Sequence, residues 1–480
     1  MHRFFRAVCS PACANNPENR FLHSLFHLFS LWIILLTMFA GGCALPPEKP
    51  SSPTRPVNQS TNNEDQRSNE LLVVLAFSGG GSRAAALSYG VLEKLRDTRI
   101  TIDGRERRLL DEVDFISSVS GGSFTSAYFT LFGERIFRDY RKKFLEQDVQ
   151  GMLIRRILAP WNWPALWTAN VNRSELAARL YDELLFEGKT YADLFRPGAP
   201  YTYISATNLT SGIPFGFDPH QFDLLCQDLS SFRVARAVAA SAAVPLLLSP
   251  ITLANNHDEC KTQLEPWAQK ALRDGDRTSR AYQLALAEKS YTDSINNRWI
   301  HLVDGSVTDN LGLRALLNLI TRQGNAWNAM KSLGHGDVKK VLIIIVNAQT
   351  PVAGDLGRQQ SPSLIFGLNA AVTTALNAFS FETMDTLDSL MRTWDENITL
   401  QRCWDLARQN KDQAGCFDIQ HYIVDISFDE VADEKKKRAL KQIPTTFSLP
   451  PEQIETLVST ARTLLQQSPQ MQRFLQDMAR

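Results

Sequence analysis

The sequence predicts an α/β fold with a mainly parallel central sheet and flanking helices. Two strand–glycine–helix units predict it. In the first, the apolar run Leu71 to Phe77 is broken by Gly79-Gly80-Gly81 before a helical stretch from Ser82 to Arg96. In the second, the β-prone run Asp114 to Val119 turns at Ser120-Gly121-Gly122 into helix-compatible Ser123 to Phe132. Composition agrees: of 480 residues, 44% are hydrophobic and 21% charged, which excludes disorder, collagen and a polytopic membrane protein. Lys+Arg 51 balance Asp+Glu 51 and no basic run compensates locally, which excludes nucleic acid as a partner.

In chain order, residues 1–42 read as a signal peptide, with Arg3, Arg6 and Arg20 ahead of the apolar stretch Phe21 to Ala40. About 20 apolar residues also suffice for an uncleaved transmembrane anchor. Ala40-Gly41-Gly42-Cys43 resembles the bacterial lipobox, although Ala40 stands where that pattern prefers Leu. The resemblance implies a diacylated Cys43 and export to the bacterial cell envelope as a membrane-anchored lipoprotein. Ala44, rather than Asp, after the cysteine implies the outer membrane. Residues 43–70, rich in Pro, Ser, Asn, Gln and charge, read as a flexible tether. Residues 71–480 read as one domain with insertions, since no Pro/Ser-rich linker interrupts them, although length alone would suggest two or three domains. Export places Cys226, Cys260, Cys403 and Cys416 in an oxidising compartment, where they form two bridges or stay separate buried thiols.

Further strands fit Tyr201 to Ala206, Trp299 to Val303, Val341 to Val346 and His421 to Ile426, and helices fit Phe232 to Ala243, Leu368 to Arg392 and Pro451 to Met478. Between Leu153 and Trp167, Trp161, Trp163 and Trp167 stand among Ile154, Ile157, Leu158 and Leu166. Such a cluster suits either a satellite core or a segment docking on a membrane interface.

The chemistry falls at three strand ends. Ser120, between an apolar strand and a helix, has the layout of a nucleophile elbow, in which a tight turn lifts the hydroxyl clear of the backbone. The usual pattern is G-x-S-x-G; Ser118-Val119-Ser120-Gly121-Gly122 carries Ser at its first position, and a plain Ser-Gly helix cap is the alternative. The glycine turn Gly79-Gly80-Gly81-Ser82-Arg83 offers backbone N–H groups at a helix start, as an oxyanion hole requires. Gly79-x-Gly81-x-x-Ala84 also matches a dinucleotide fingerprint with Asp103 or Asp114 as ribose partner, but that reading leaves the second elbow unexplained. No Gly-Lys-Ser/Thr follows, so a Walker loop is excluded. Asp304-Gly305 closes the third strand, where the aspartate can take a proton from Ser120 directly. Of the candidate third members, His220, His257, His301, His335 and His421, none lies in a recognised loop motif; His301 reads as a packed strand residue.

Together these blocks resemble the patatin-like phospholipases: Gly79 to Arg83 as the oxyanion motif, Ser118 to Gly122 as the elbow, Asp304-Gly305-Ser306 continuing to Asp309-Asn310-Leu311-Gly312 as the aspartate motif, and Ala240 to Pro245 as a fourth block. Order and spacing agree from Leu71 to Leu313, and the tail at Pro451-Glu452-Gln453 is similar to bacterial members. Two departures stand out, Ser118 for the usual glycine and Ser306 for Gly or Ala. The resemblance implies a three-layer α/β/α fold and a Ser120-Asp304 dyad hydrolysing acyl esters of membrane phospholipid or lysophospholipid, without metal or cofactor. It further implies an oxyanion hole from Gly79, Gly80 and Gly81, with Gly122, Gly305 and Arg83 in support. Arg83 would order the glycine loop or meet a phosphate head group; otherwise it is a surface charge on a first helical turn. Two rivals remain, an α/β-hydrolase esterase with a Ser-Asp-His triad and a tethered binding protein with an inactive site.

Overall fold

Branched and apolar side chains with no polar break make Leu71–Phe77 a strand buried along its whole length, which requires neighbours on both edges and cover on both faces. The computed structural model describes residues 67–102, 104–163, 172–245, 247–350, 364–392, 394–408, 416 and 418–479. The chain divides into two compact units, Met1–Lys49 with Ile157–Asn172, and Pro50–Arg156 with Arg173–Arg480.

The second unit holds the sheet. Its strands are β1 (Leu71–Phe77), β2 (Arg99–Ile102), β3 (Arg105–Arg108), β4 (Val113–Val119), β5 (Tyr201–Asn208), β6 (Ile213–Gly216), β7 (Ile251–Ala254), β8 (Trp299–Asp304), β9 (Lys340–Asn347) and β10 (Gln420–Ser427). Eight of them form one sheet in the order β10-β9-β1-β4-β5-β8-β7, with β6 also on β5, while β2 and β3 make a separate hairpin. From β10 to β5 the neighbours run parallel. Beyond β5 the direction reverses, because β6, β8 and β7 all pair antiparallel. The connection from β5 to β6 is too short for a crossover, so only a hairpin fits there.

The main helices are α1 (Gly81–Asp97), α2 (Gly121–Phe132), α3 (Arg173–Tyr181), α4 (Val234–Ser241), α5 (Arg314–Arg322), α6 (Leu364–Arg392), α7 (Pro451–Gln467) and α8 (Pro469–Met478). Leu72, Val74 and Ala76 of β1 and Val341, Ile343 and Ile345 of β9 pack against Leu316 and Ile320 of α5, Trp327, and Leu387 and Met391 of α6. By the two-residue period of a strand, Val73, Leu75 and Phe77 turn to the other layer, where α1 lies against α7. The stretch expected as one helix from Pro451 to Met478 is two, since Ser468 caps α8 by accepting the Met471 N–H and Pro469 opens it.

Both cysteine pairs are bridged, Cys226 to Cys260 and Cys403 to Cys416, with Cα separations of 5.9 and 5.1 Å. No helix among the described residues is long and apolar enough to cross a membrane. The expected signal peptide, Cys43, most of the 43–70 tether, Asp103 and Trp167 lie outside the described residues. In the first unit, Trp161 and Trp163 are exposed, 80% and 49%, so these two are not core residues.

Candidate active site

Parallel pairing of β1 with β4, with Phe77 opposite Ser118, sets the two glycine turns side by side. Strand β8 arrives from the opposite direction and overlaps β5 only through Leu302 to Asp304, with Asp304 opposite Ala206. Ser205 is in turn opposite Val119. The aspartate thus ends its strand one residue beyond that rung, level with Ser120. The sequence places Asp304 at a strand end correctly, but an antiparallel one.

Ser120 adopts φ 48° and ψ −118°, a conformation that costs a non-glycine residue of order 1–3 kcal/mol. Its N–H donates to Ser241 Oγ at 2.8 Å, and that hydroxyl donates to the Ser205 carbonyl at 2.6 Å. Close packing adds to the restraint. A Cβ on Gly121 would fall 2.1 Å from the Gly81 carbonyl oxygen, on Gly122 2.7 Å from the Phe77 carbonyl oxygen, and on Gly305 2.3 Å from the Ser205 carbonyl oxygen. Only hydrogens fit where these turns touch.

The Ser120 hydroxyl donates to Asp304 Oδ2 at 2.9 Å, and the Ser306 N–H donates to Oδ1 at 2.8 Å. The main chain around the aspartate is pinned by bonds from its N–H to Ala243, from the Gly305 N–H to Ser241, and from Thr207 Oγ1 to the Asp304 carbonyl. Burial raises the Asp304 pKa above the ordinary carboxylate value, against the pull of the Ser306 and Ser120 hydrogen bonds. Among the described residues no cation pairs with it.

The glycine loop presents two unpartnered amides. Gly80 and Gly81 have φ 138° and 62°, and neither N–H has a partner among the described residues. The Gly79 N–H is different: it donates to the Asn310 carbonyl at 2.9 Å, which removes Gly79 from the expected set of oxyanion donors. The Gly121 N–H, just after Ser120, is also unpartnered among the described residues.

Arg83 is 3% exposed, so it is neither a surface charge nor a free ligand for a head group. Its guanidinium donates to Ala348 O at 2.9 Å, Ile443 O at 2.5 Å and Thr445 Oγ1 at 3.0 Å. Burial lowers its pKa to about 10. With the Ser82 N–H on Thr446 O at 2.8 Å, it ties the glycine loop to residues 443–446, the ordering role that the sequence suggested.

The two motif departures are accommodated. Ser118 Oγ donates to Tyr203 O at 3.3 Å and accepts from Ser126 Oγ at 2.6 Å, while Ser306 hydrogen-bonds Asp304 through its side chain. Asp309, buried, caps α5 by accepting the Leu313 and Arg314 N–H groups, and burial pushes it up to about 6. Among the described residues no histidine bonds to Ser120 or Asp304: His220 holds Glu265 and Glu288, His257 the Leu224 carbonyl, His301 Thr252, and His335 Asp114. His421 lies on β10, three strands from β4.

Residues 75–317, just over half of the chain, match the family model for patatin-like phospholipase. The chain belongs to the patatin-like phospholipase family. No curated protein matches the sequence. Among solved structures, human GIVD cytosolic phospholipase A2 is 13% identical at TM-score 0.39, and the match covers 86% of this chain and 62% of that one. VipD from Legionella pneumophila is 12% identical at TM-score 0.29, covering 86% of this chain and 68% of that one. ExoU of Pseudomonas aeruginosa, solved with SpcU, is 12% identical at TM-score 0.23, covering 56% and 61%. In patatin-like terms, Ser241 of the fourth block was legible only as a match to the family; its role in holding the elbow needed the fold.

Proposed function

We propose that the protein is a serine lipid acyl hydrolase, of phospholipase A or lysophospholipase type, working through a Ser120-Asp304 dyad. The observation that carries this reading is the 2.9 Å bond from Ser120 Oγ, raised on a positive-φ turn, to a buried carboxylate that no cation neutralises among the described residues. Asp304 takes the proton as Ser120 attacks the ester carbonyl. The Gly80, Gly81 and Gly121 amides hold the oxyanion. Asp304 returns the proton to the departing alcohol, then activates water to release the acyl group. Membrane phospholipid or lysophospholipid is the substrate that the family membership favours. Among the described residues, His220, His257, His301 and His335 are bonded elsewhere, which favours a dyad over a triad.

We also propose that the protein is an envelope lipoprotein, with Cys43 carrying the lipid and residues 43–70 forming the tether to one catalytic domain, 71–480. The two disulfides agree with an oxidising compartment. Fatty acid release from phospholipid vesicles by wild-type protein and not by Ser120→Ala tests the activity; hydrolysis by both overturns the assignment. Intact mass tests the anchor: wild-type protein should begin at a diacylated Cys43 and Cys43→Ser should stay an unlipidated precursor. Wild-type protein retaining Met1 to Gly42 would contradict it.

A further inference from the structure

The glycine loop is held from outside the stretch that matches the family model. That match ends at residue 317, yet the Ser82 N–H donates to Thr446 O at 2.8 Å, and the Arg83 guanidinium holds Ile443 O and Thr445 Oγ1. A Cβ on Gly81 would fall 2.5 Å from the Thr446 carbonyl oxygen and 3.2 Å from the Thr446 nitrogen, so the main chain of Thr446 lies directly against Gly81. The first amides of a helix have no partner within it. Thr446 takes the Ser82 amide of α1 and leaves those of Gly80 and Gly81 open among the described residues.

The next residue reaches the other half of the site. The Phe447 ring stands 5.3 Å from Phe124 of α2, the helix that Ser120 caps. Two consecutive residues thus touch the glycine loop and the nucleophile helix. Residues 442–450 form no regular element; they connect the helix Glu434–Lys441 to α7. The strap is clasped by Gln150, the second residue of the helix Val149–Leu158. Thr446 Oγ1 donates to Gln150 Oε1 at 2.5 Å, the Phe447 N–H donates to the same oxygen at 3.4 Å, and the Gln150 N–H donates to the Phe447 carbonyl at 3.2 Å. Gln150 is exposed, so its side chain adds little to global stability, and its three bonds serve to place the strap.

We propose that Gln150 and Thr446 are positioning residues for the reaction: the bond between their side chains clamps the strap against Gly81 and so aims the Gly80 and Gly81 amides at the oxyanion. The inference rests on the hydrolase reading above. Neither residue touches the substrate. As the Ser120 Oγ–carbon bond forms, the Oγ proton passes to Asp304 and the carbonyl electron pair moves onto the carbonyl oxygen. A clamped loop already faces that charge, whereas a loosened one must first be ordered, so the loss falls on turnover and spares substrate binding. The working site therefore extends beyond the matched residues 75–317 into the C-terminal part of the chain.

Gln150→Ala and Thr446→Val each remove the side-chain bond and keep the Thr446 carbonyl in place for Ser82. Outright loss of an oxyanion donor costs about 10²- to 10³-fold, so loosening its support should lower turnover on a glycerol ester roughly 10-fold, with KM within about twofold. The double variant should lose no more than either single one, because both remove the same bond. Thr446→Ser, which keeps the hydroxyl, should recover most of what Thr446→Val loses. The melting temperature should stay within about 2 °C of wild type, as for exposed polar changes. Unchanged turnover, losses that add in the double variant, a change confined to KM, or losses that track a lower melting temperature would each overturn the proposal. If wild-type protein hydrolyses no ester, the hydrolase reading falls and this inference falls with it; wild-type activity abolished by Ser120→Ala isolates the result for Gln150 and Thr446.

Discussion

Two carboxylates, Asp304 and Glu288, are equally hidden, 4% and 3% exposed, yet meet opposite surroundings. Glu288 accepts from His220 Nε2 at 3.0 Å and pairs with Arg322 at 3.1 Å, and Glu265 reaches the other nitrogen of His220 at 3.4 Å. Burial pulls the His220 pKa down, but its hydrogen bonds to Glu265 and Glu288 outweigh this and raise it to about 9. Among the described residues Asp304 receives an N–H and two hydroxyls and no cation, and burial lifts its proton affinity. The compensated cluster is a strut that joins elements through paired opposite charges. The uncompensated carboxylate can exchange a proton with its neighbour, as a base must.

The largest effects should separate the two regions. Ser120→Ala and Asp304→Asn should each remove on the order of 10⁴ or more of turnover, with no further loss when combined and little change in melting temperature. Glu288→Gln should do the reverse, keeping most turnover and costing about 3–5 kcal/mol of stability because it takes the carboxylate partner from Arg322 and one of two from His220. Turnover and melting temperature of these variants decide; a tenth of the activity surviving in folded Ser120→Ala would break the comparison.

Next in size is the glycine loop. At φ 62° a side chain on Gly81 is strained, and its Cβ would stand 2.5 Å from the Thr446 carbonyl oxygen. Gly81→Val should therefore lower turnover about 10²- to 10³-fold and, unlike the dyad variants, lose stability as well. A raised KM with unchanged turnover would argue against an oxyanion role.

The smallest effects lie in pH. Asp304 must be ionised to act, so kcat/KM should fall on the acid side with a midpoint above the usual aspartate value of about 3.9. His220 governs stability instead. Its folded pKa of about 9 exceeds the unfolded value of about 6.5, so its contribution is complete below the unfolded value and is lost as pH rises through about 9. That is about 3 kcal/mol, and His220→Gln should flatten this limb of a denaturation series while leaving the activity limb in place.

Much of this was legible in the residues. Leu71–Phe77 announces itself by continuous apolar character and Asp114 to Val119 as a short β-prone run, and the glycine turns that follow place both loops at parallel strand ends. What could not be read is set by distant contacts. The reversal at β8 depends on pairing with β5, nearly a hundred residues away, and no local pattern encodes it. Gly79 looked like its neighbours until the Asn310 carbonyl claimed its amide. Arg83 looked like a surface charge or a head-group ligand because its carbonyl partners lie some 265 and 360 residues on.

The central claim is a two-residue dyad with no histidine, and fluorophosphonate labelling followed by peptide mapping tests it most directly. Wild-type protein and folded variants of His220, His257, His301, His335 and His421 should all carry one adduct, on Ser120. Ser120→Ala should carry none, and Asp304→Asn should label far more slowly. Loss of labelling in a folded histidine variant, or an adduct that persists in Ser120→Ala, would contradict the account.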